Sequence, residues 1–187
     1  MHCKHPLTRS LAALLLLGAA SCAQAKEHEG WVYNGLSGWG SASLEGLDDS
    51  SFSSNPTIGY RWGKIGVEAG YGWFGDFEEK FENGTHHIDT EATLRGFNVG
   101  ANFNHDFGGK WSLQGRAGVF LWDVDGSFDD SLLSSVVDFD DDGTDWYAGG
   151  SITYQTTKRS SLGLGYTHFA AGDADIDLWG LSTEFRF

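Results

Sequence analysis

Residues 65 to 74, "IGVEAGYGWF", alternate between two kinds of side chain. Ile65, Val67, Ala69, Tyr71 and Trp73 occupy the odd positions, and glycines with one glutamate fill the even positions as far as residue 72. A period of two is typical of a β-strand, because neighbouring side chains of a strand point to opposite faces. The stretch therefore predicts a strand with one apolar face and one small or polar face.

The same alternation recurs along most of the chain. It predicts further strands at residues 58–62, 97–103, 111–121, 146–155, 162–167 and 179–187, and residues 30–42 supply one more with less clear parity. The total is eight strands. After residue 25, no apolar run reaches the length of a membrane-spanning helix.

The composition of the two faces predicts which one points outward. The second face is too rich in glycine for a solvated exterior, whereas small residues suit the crowded interior of an eight-stranded barrel. The apolar face should then contact lipid. We expect an all-β fold, an eight-stranded antiparallel transmembrane up-and-down β-barrel over residues 26–187. Aromatic girdles at both membrane interfaces agree with this reading; they are predicted at Trp62, Phe103, Trp111, Tyr154 and Phe187 on one side and at Trp73, Leu121 and Trp179 on the other. A β-sandwich core and a soluble lipocalin are the alternatives, but the lipocalin Gly-x-Trp is missing from the first strand.

The first 25 residues have the features of an export signal. Lys4 and Arg9 form a basic start, an apolar run follows, and Ala23-Gln24-Ala25 supplies a small-x-small cleavage pattern. A lipobox ending at Cys22 is the competing reading. Cleavage after residue 25 would remove both cysteines, Cys3 and Cys22, so no disulfide is expected in the mature chain.

Acidic residues dominate the charge of the chain. Without residues 1–25, 10 basic residues face 26 acidic ones, which makes nucleic acid an improbable partner. We expect short connections near residues 63–64, 105–110 and 156–160, and long external loops at 43–56, 75–91, 123–145 and 169–177. The long segments hold 21 of the 26 acids, with Lys80 as their one base.

Residues 137 to 146, "VDFDDDGTDW", resemble the start of a calcium loop. Asp138, Asp140 and Asp142 fall at positions 1, 3 and 5 of an EF-hand, but position 12 is Gly149, within a predicted strand. The EF-hand reading therefore fails. A looser divalent-ion site on the three aspartates is the remaining alternative to a solvated acidic run. His86 and His87 are likewise expected in a solvated segment, and no cofactor is expected.

Five charged residues share the inward parity near the short-turn end: Arg61, Glu68, Arg116, Glu184 and Arg186. Charges enclosed in so narrow a barrel are costly unless they are paired and hydrogen-bonded. We therefore expect them to form a lumen charge network that closes the barrel. Arg95 shares the outward parity and should lie at the outer rim, about 16–20 Å above Phe103 along the membrane normal. There it would contact either lipopolysaccharide phosphate or a nearby acid such as Glu91.

Residues 110–125, "KWSLQGRAGVFLWDVD", and 177–187, "DLWGLSTEFRF", resemble the fifth and last strands of the OmpA-like eight-stranded outer-membrane barrels and their OmpX-type relatives. The resemblance covers residues 30–187 and implies a Gram-negative outer-membrane location. It also implies that Phe185 and Phe187 form the terminal signal read by the outer-membrane assembly machinery. No peptidoglycan-binding domain follows residue 187, so wall anchoring is not carried over. The family's usual acid on strand seven is replaced by Gly165, which leaves room for water.

The expected function is structural and interfacial. A monomeric barrel in outer-membrane lipid and lipopolysaccharide, with a largely plugged lumen, would present acidic loops to a cell-surface ligand. The alternative is a narrow porin-like channel for ions or small solutes. Catalysis is not expected, because His168 in "YTHFAAGD" is followed by Phe169-Ala170 where lipid-modifying barrels have a His-x-Ser motif.

Overall fold

The computed structural model describes residues 29–44, 47–83, 86–107, 109–130, 135–172 and 174–187, with side chains described except within 43–49, 76–92 and 126–140. Eight antiparallel strands form one closed barrel in sequence order, which confirms the predicted fold class. The strands are β1 Glu29–Leu44, β2 Leu47–Trp62, β3 Ile65–Asn83, β4 His86–Asp106, β5 Trp111–Asp130, β6 Ser135–Gln155, β7 Ser160–Ala171 and β8 Ala174–Arg186. No helix in these ranges has the length and hydropathy needed to cross a membrane. The proposed export signal, Cys22 included, lies outside the described residues.

The outer surface of the barrel is apolar, as the alternation predicts. Exposed rings form one girdle near the short turns and another near the opposite ends of the strands. The first girdle contains Trp31, Trp62, Phe103, Trp111, Tyr154 and Phe187, and the second contains Trp39, Phe52, Trp73, Trp146 and Trp179. Such belts hold a barrel at the two membrane interfaces.

The prediction of long loops is wrong, because the described parts of these segments belong almost entirely to strands. β3 and β4 stay paired from Asp76↔Thr93 to Asn83↔His86, and β5 and β6 stay paired as far as Asp130↔Ser135. Backbone ladders need no apolar face, so pairing can continue above the membrane. The described parts of these segments therefore form extended strands.

Candidate functional site

The lower half of the lumen contains the five predicted charges, which we call the charge layer. Glu184 has no solvent exposure, and its Oε2 accepts hydrogen bonds from Arg61 Nη2 at 3.0 Å and from Gln114 Nε2. Its Oε1 accepts a bond from Arg186 Nε. The geometry gives the buried carboxylate two cationic partners and one amide.

A second group surrounds Glu68. Its Oε1 accepts a bond from Tyr147 Oη at 2.9 Å, and Arg116 Nη2 lies 2.8 Å from the same oxygen. Asn102 Nδ2 donates to Oε2 at 3.1 Å. The structure thus brings the five charges into two ion-paired groups. Inward parity alone does not show which arginine pairs with which glutamate. It also does not show that Gln114 binds Glu184, or that Asn102 and Tyr147 bind Glu68.

A small cavity of about 30 Å³ separates the packed side chains of this layer. Arg61, Glu68 and Arg116 line it, together with Thr167 and Gly165. Gly165 is the position at which the family's acid is replaced, so the space lies where the sequence leaves room. A cavity of this size holds a water molecule or two and is far too small for a solute pathway.

The upper half of the lumen contains an apolar cluster, whereas the sequence predicted a small or polar inner face. Phe74, Phe120, Tyr147 and Phe169 pack there as an aromatic plug, with Phe169 ring centroids 4.9, 5.0 and 5.6 Å from Phe74, Phe120 and Tyr147. A Cβ on Gly96 would lie 2.6 Å from the Phe120 ring. The glycine therefore makes room for an inward ring as well as narrowing the wall.

Above the plug, Asp145 links β5 to the residue that follows β7. Its Oδ2 accepts hydrogen bonds from Trp122 Nε1 at 2.8 Å and from the Gly172 amide at 2.9 Å. Gly172, in the β7–β8 turn, has φ +63°, a conformation that favours glycine. The Gly172 and Trp122 hydrogen bonds hold the pKa of Asp145 below its ordinary value. The contact was not predicted, because Asp145 and Gly172 both lie in segments that were expected to be loops.

Arg95 lies on the outward face at the outer rim, where parity places it. Its Nε donates to Asp123 at 3.1 Å, and its Nη2 donates to Asp125. The described acid partners are thus on β5; the Glu91 side chain lies outside the described residues. The lipopolysaccharide contact of Arg95 stays a prediction, and it would have to use the part of the guanidinium that these two bonds leave free.

His168 faces outward, and its ring centroid lies 4.9 Å from that of Trp146. Its Nδ1 lies 2.9 Å from Asp177 Oδ1, which also accepts a bond from Tyr166 Oη. Burial opposes ionisation of Asp177, but bonds from Tyr166 and His168 leave its pKa below the ordinary value. The arrangement is a hydrogen-bonded rim contact.

The remaining predicted sites are only partly described. The side chains of Asp138, Asp140, His86 and His87 lie outside the described residues, and Asp142 is exposed. Within the described part of the chain, no group of three or more His, Cys, Asp or Glu side chains could hold a metal ion. Phe185 and Phe187 are exposed on β8 and just after it, and the Phe187 amide donates to Trp31 O at 3.0 Å, which joins the chain end to β1.

An eight-stranded barrel with an apolar exterior, two aromatic girdles and a filled lumen defines an outer-membrane β-barrel protein. A family model described as "Outer membrane protein beta-barrel domain" matches residues 10–187. The chain belongs to this family, and its location is the outer membrane. No curated protein sequence matches.

Solved structures with a similar fold come from several bacteria. The attachment invasion locus protein Ail of Yersinia pestis, in complex with the heparin analogue sucrose octasulfate, is similar at 16% identity and a TM-score of 0.57 over 86% of this chain and 100% of that chain. Neisserial surface protein A is similar at 14% identity and a TM-score of 0.56, over 84% of this chain and 96% of that chain. OprG of Pseudomonas aeruginosa is similar at 12% identity and a TM-score of 0.53, over 88% of this chain and 100% of that chain. At these identities the likeness establishes the fold alone.

Proposed function

We propose that the protein is a closed outer-membrane barrel whose work is surface interaction through an acidic sheet outside the membrane. We use the name acidic sheet for the parts of β3, β4, β5 and β6 at residues 75–83, 86–94, 123–130 and 135–145. The proposal is supported by the unequal distance to which the β-ladders extend above the membrane. β2 pairs with β3 only as far as Ser54↔Trp73, and β6 pairs with β7 only as far as Tyr147↔Phe169, whereas the acidic sheet continues.

The acidic sheet has the dimensions of a docking surface. Above the girdle, β3 continues from Trp73 to Asn83, which corresponds to about 30 Å of strand. Beyond the ladders above, no pair among the described residues joins β3 to β2 or β6 to β7. Unpaired strand edges offer amide and carbonyl groups to an extended segment of a partner. Their acids would also attract basic partner residues and repel polyanions.

Charge separates this proposal from the ligand chemistry of one relative. Ail was crystallised with a sulfated heparin analogue. The present chain carries a net charge of −14, and 15 of its 26 acidic residues lie in the acidic sheet. A sulfated polysaccharide is therefore a poor fit, and basic regions of cell-surface proteins are a better one. No catalytic role is proposed for His168, whose Nδ1 is held by a carboxylate in the rim contact.

The test trims the acidic sheet without disturbing the barrel. Residues 79–90 and 127–138 are removed in register, because Glu79 pairs with Thr90 and Ser127 pairs with Asp138. Bacteria displaying the wild type should adhere to host cells better than a strain lacking the protein, and the trimmed variant should reach the outer membrane but lose that adhesion. Equal adhesion by the wild-type and trimmed strains, at matched surface amounts, would reject the proposal.

A further inference from the structure

The charge layer is electrically unbalanced. It contains three guanidinium groups, on Arg61, Arg116 and Arg186, but only two carboxylates, on Glu68 and Glu184. Asp106 and Asp145 share the inward parity but lie towards the two ends of the lumen, where Asp106 binds Ser112 and Asp145 binds Trp122. Arginine does not lose its proton in proteins, so the excess positive charge cannot be removed by titration of a guanidinium.

Each oxygen of the two carboxylates already has a partner in the layer, since Glu184 accepts from Arg61, Gln114 and Arg186, and Glu68 accepts from Tyr147 and Asn102 besides its ion pair. The buried amide oxygens of Asn34 and Asn102 also line the cavity and lack partners among the described residues, but they carry no charge.

Cationic donors, in contrast, are left over. The Nε groups of Arg61 and Arg116 are buried, and neither has a hydrogen-bond partner among the described residues. Arg116 Nη2 lies 2.8 Å from Glu68 Oε1 but makes no hydrogen bond of normal geometry. The buried Thr167 hydroxyl also lacks a partner within the same described ranges. Unsatisfied charged donors in a buried site favour an acceptor that carries negative charge.

The three residues with spare donors share one space. Arg61, Arg116 and Thr167 all line the cavity of about 30 Å³ beside Gly165. A cavity of this size accepts a water molecule or a monatomic ion and excludes polyatomic anions such as sulfate. Size and charge thus select the same class of ligand.

We propose that the lumen cavity beside Gly165 binds one halide-sized inorganic anion, chloride in the cell, on the spare donors of Arg61 and Arg116. The anion supplies the negative charge that the charge layer lacks. Water alone would satisfy the donors and leave the excess charge in place. The site is a structural part of the barrel closure and is independent of any ligand of the acidic sheet.

The direct test uses bromide as the probe. The protein is refolded and crystallised in sodium bromide, so that the ion can enter before the barrel closes, and anomalous differences are measured at the bromine edge. An anomalous peak in the cavity, in contact with Arg61 and Arg116 nitrogens, is expected. Density in the cavity without an anomalous signal would mean water only and would overturn the proposal.

A pair of substitutions at Gly165 tests the charge argument in solution. A Cβ at Gly165 would lie 3.0 Å from Leu36 Cδ1, the end of a side chain that can rotate, and 3.1 Å from Ser151 Cβ, which is fixed to the backbone, so the neighbouring strand has to shift slightly. Gly165→Asp supplies a built-in carboxylate, and Gly165→Ala adds the same Cβ without charge. Urea unfolding is followed in sodium bromide and in sodium sulfate at equal ionic strength, because general salt effects on burial are common to the variants.

The change in the urea midpoint from sodium sulfate to sodium bromide should favour folding more in the wild type and in Gly165→Ala than in Gly165→Asp, since the general stabilising effect of sulfate is common to all three. An equal change in Gly165→Ala and Gly165→Asp would contradict the proposal. The bromide map on the wild type decides the matter if Gly165→Asp does not fold.

Discussion

Removing the carboxylate of Glu184 should destabilise the barrel strongly. Glu184 is fully buried, and Arg61, whose Nη2 it binds at 3.0 Å, is also buried. Glu184→Ala would leave Arg61 without its carboxylate and would remove a hydrogen bond from Arg186. Breaking a buried ion pair by deleting one partner costs about 3–5 kcal/mol, because the other charge remains buried and unpaired. We expect a loss of that size in the free energy of unfolding.

The assay is urea unfolding of the refolded protein in lipid vesicles, followed by tryptophan fluorescence. Asp123→Ala is the matched control, since it also removes a carboxylate bonded to an arginine. The Asp123 and Arg95 side chains are 50% and 46% exposed, so this change should cost less than about 1 kcal/mol. Adding Arg61→Met to Glu184→Ala should restore part of the lost stability by removing the stranded cation.

The reasoning would be refuted if Glu184→Ala and Asp123→Ala unfolded at the same urea concentration. Burial would then have no bearing on the strength of the pairs, and the charge layer could not be treated as a stabilising closure of the lumen.

Four further outcomes are expected. Deleting Phe187 should leave the protein periplasmic and degraded, and normal yield in fractionated outer membranes would reject its role as the assembly signal. Phe169→Ala should cost about 3–5 kcal/mol in the same unfolding assay, because it empties the centre of the aromatic plug; a cost below 1 kcal/mol would speak against close packing there. The depressed pKa of Asp145 means that its bond to the Gly172 turn is present above the ordinary value of 3.8 and is lost as the pH falls through the lowered pKa; an indole N–H signal of Trp122 that is insensitive to acid would disprove the contact. Arg95→Ala should reduce lipopolysaccharide co-purification, and an unchanged amount would leave only the acid pairs.

The barrel and its orientation were predictable because one physical constraint fixes them. A strand that separates lipid from a narrow lumen must alternate, and a shift of one residue would turn every side chain to the wrong face. Parity therefore placed Arg61, Glu68 and Glu184 inside and Arg95 outside. Parity did not predict the partners of these residues, because the partners depend on the register between strands, such as the pairing of Arg95 with Asp123 across β4 and β5.

Alternation is required only within the membrane, so the predictions of secondary structure were less accurate for the residues outside it. The sequence of the acidic sheet carries no regular alternation of apolar and polar residues, so its strands were predicted as loops. The aromatic plug was missed for the opposite reason: in Phe120-Leu121-Trp122 both faces are apolar, and the run lacks a polar side. Inward parity at Phe74 and Phe120 was the available signal.

Planar-bilayer conductance of the refolded protein tests the central claim most directly, since a closed barrel and a channel differ in current. The wild type should conduct little, because the charge layer and the aromatic plug both fill the lumen. Glu68→Ala combined with Glu184→Ala leaves the aromatic plug in place, so a small anion-favouring conductance should open only when Phe169→Ala is added, because the plug is then emptied and three arginines remain without acids. A large steady wild-type conductance that those substitutions leave unchanged would contradict the account and favour a channel.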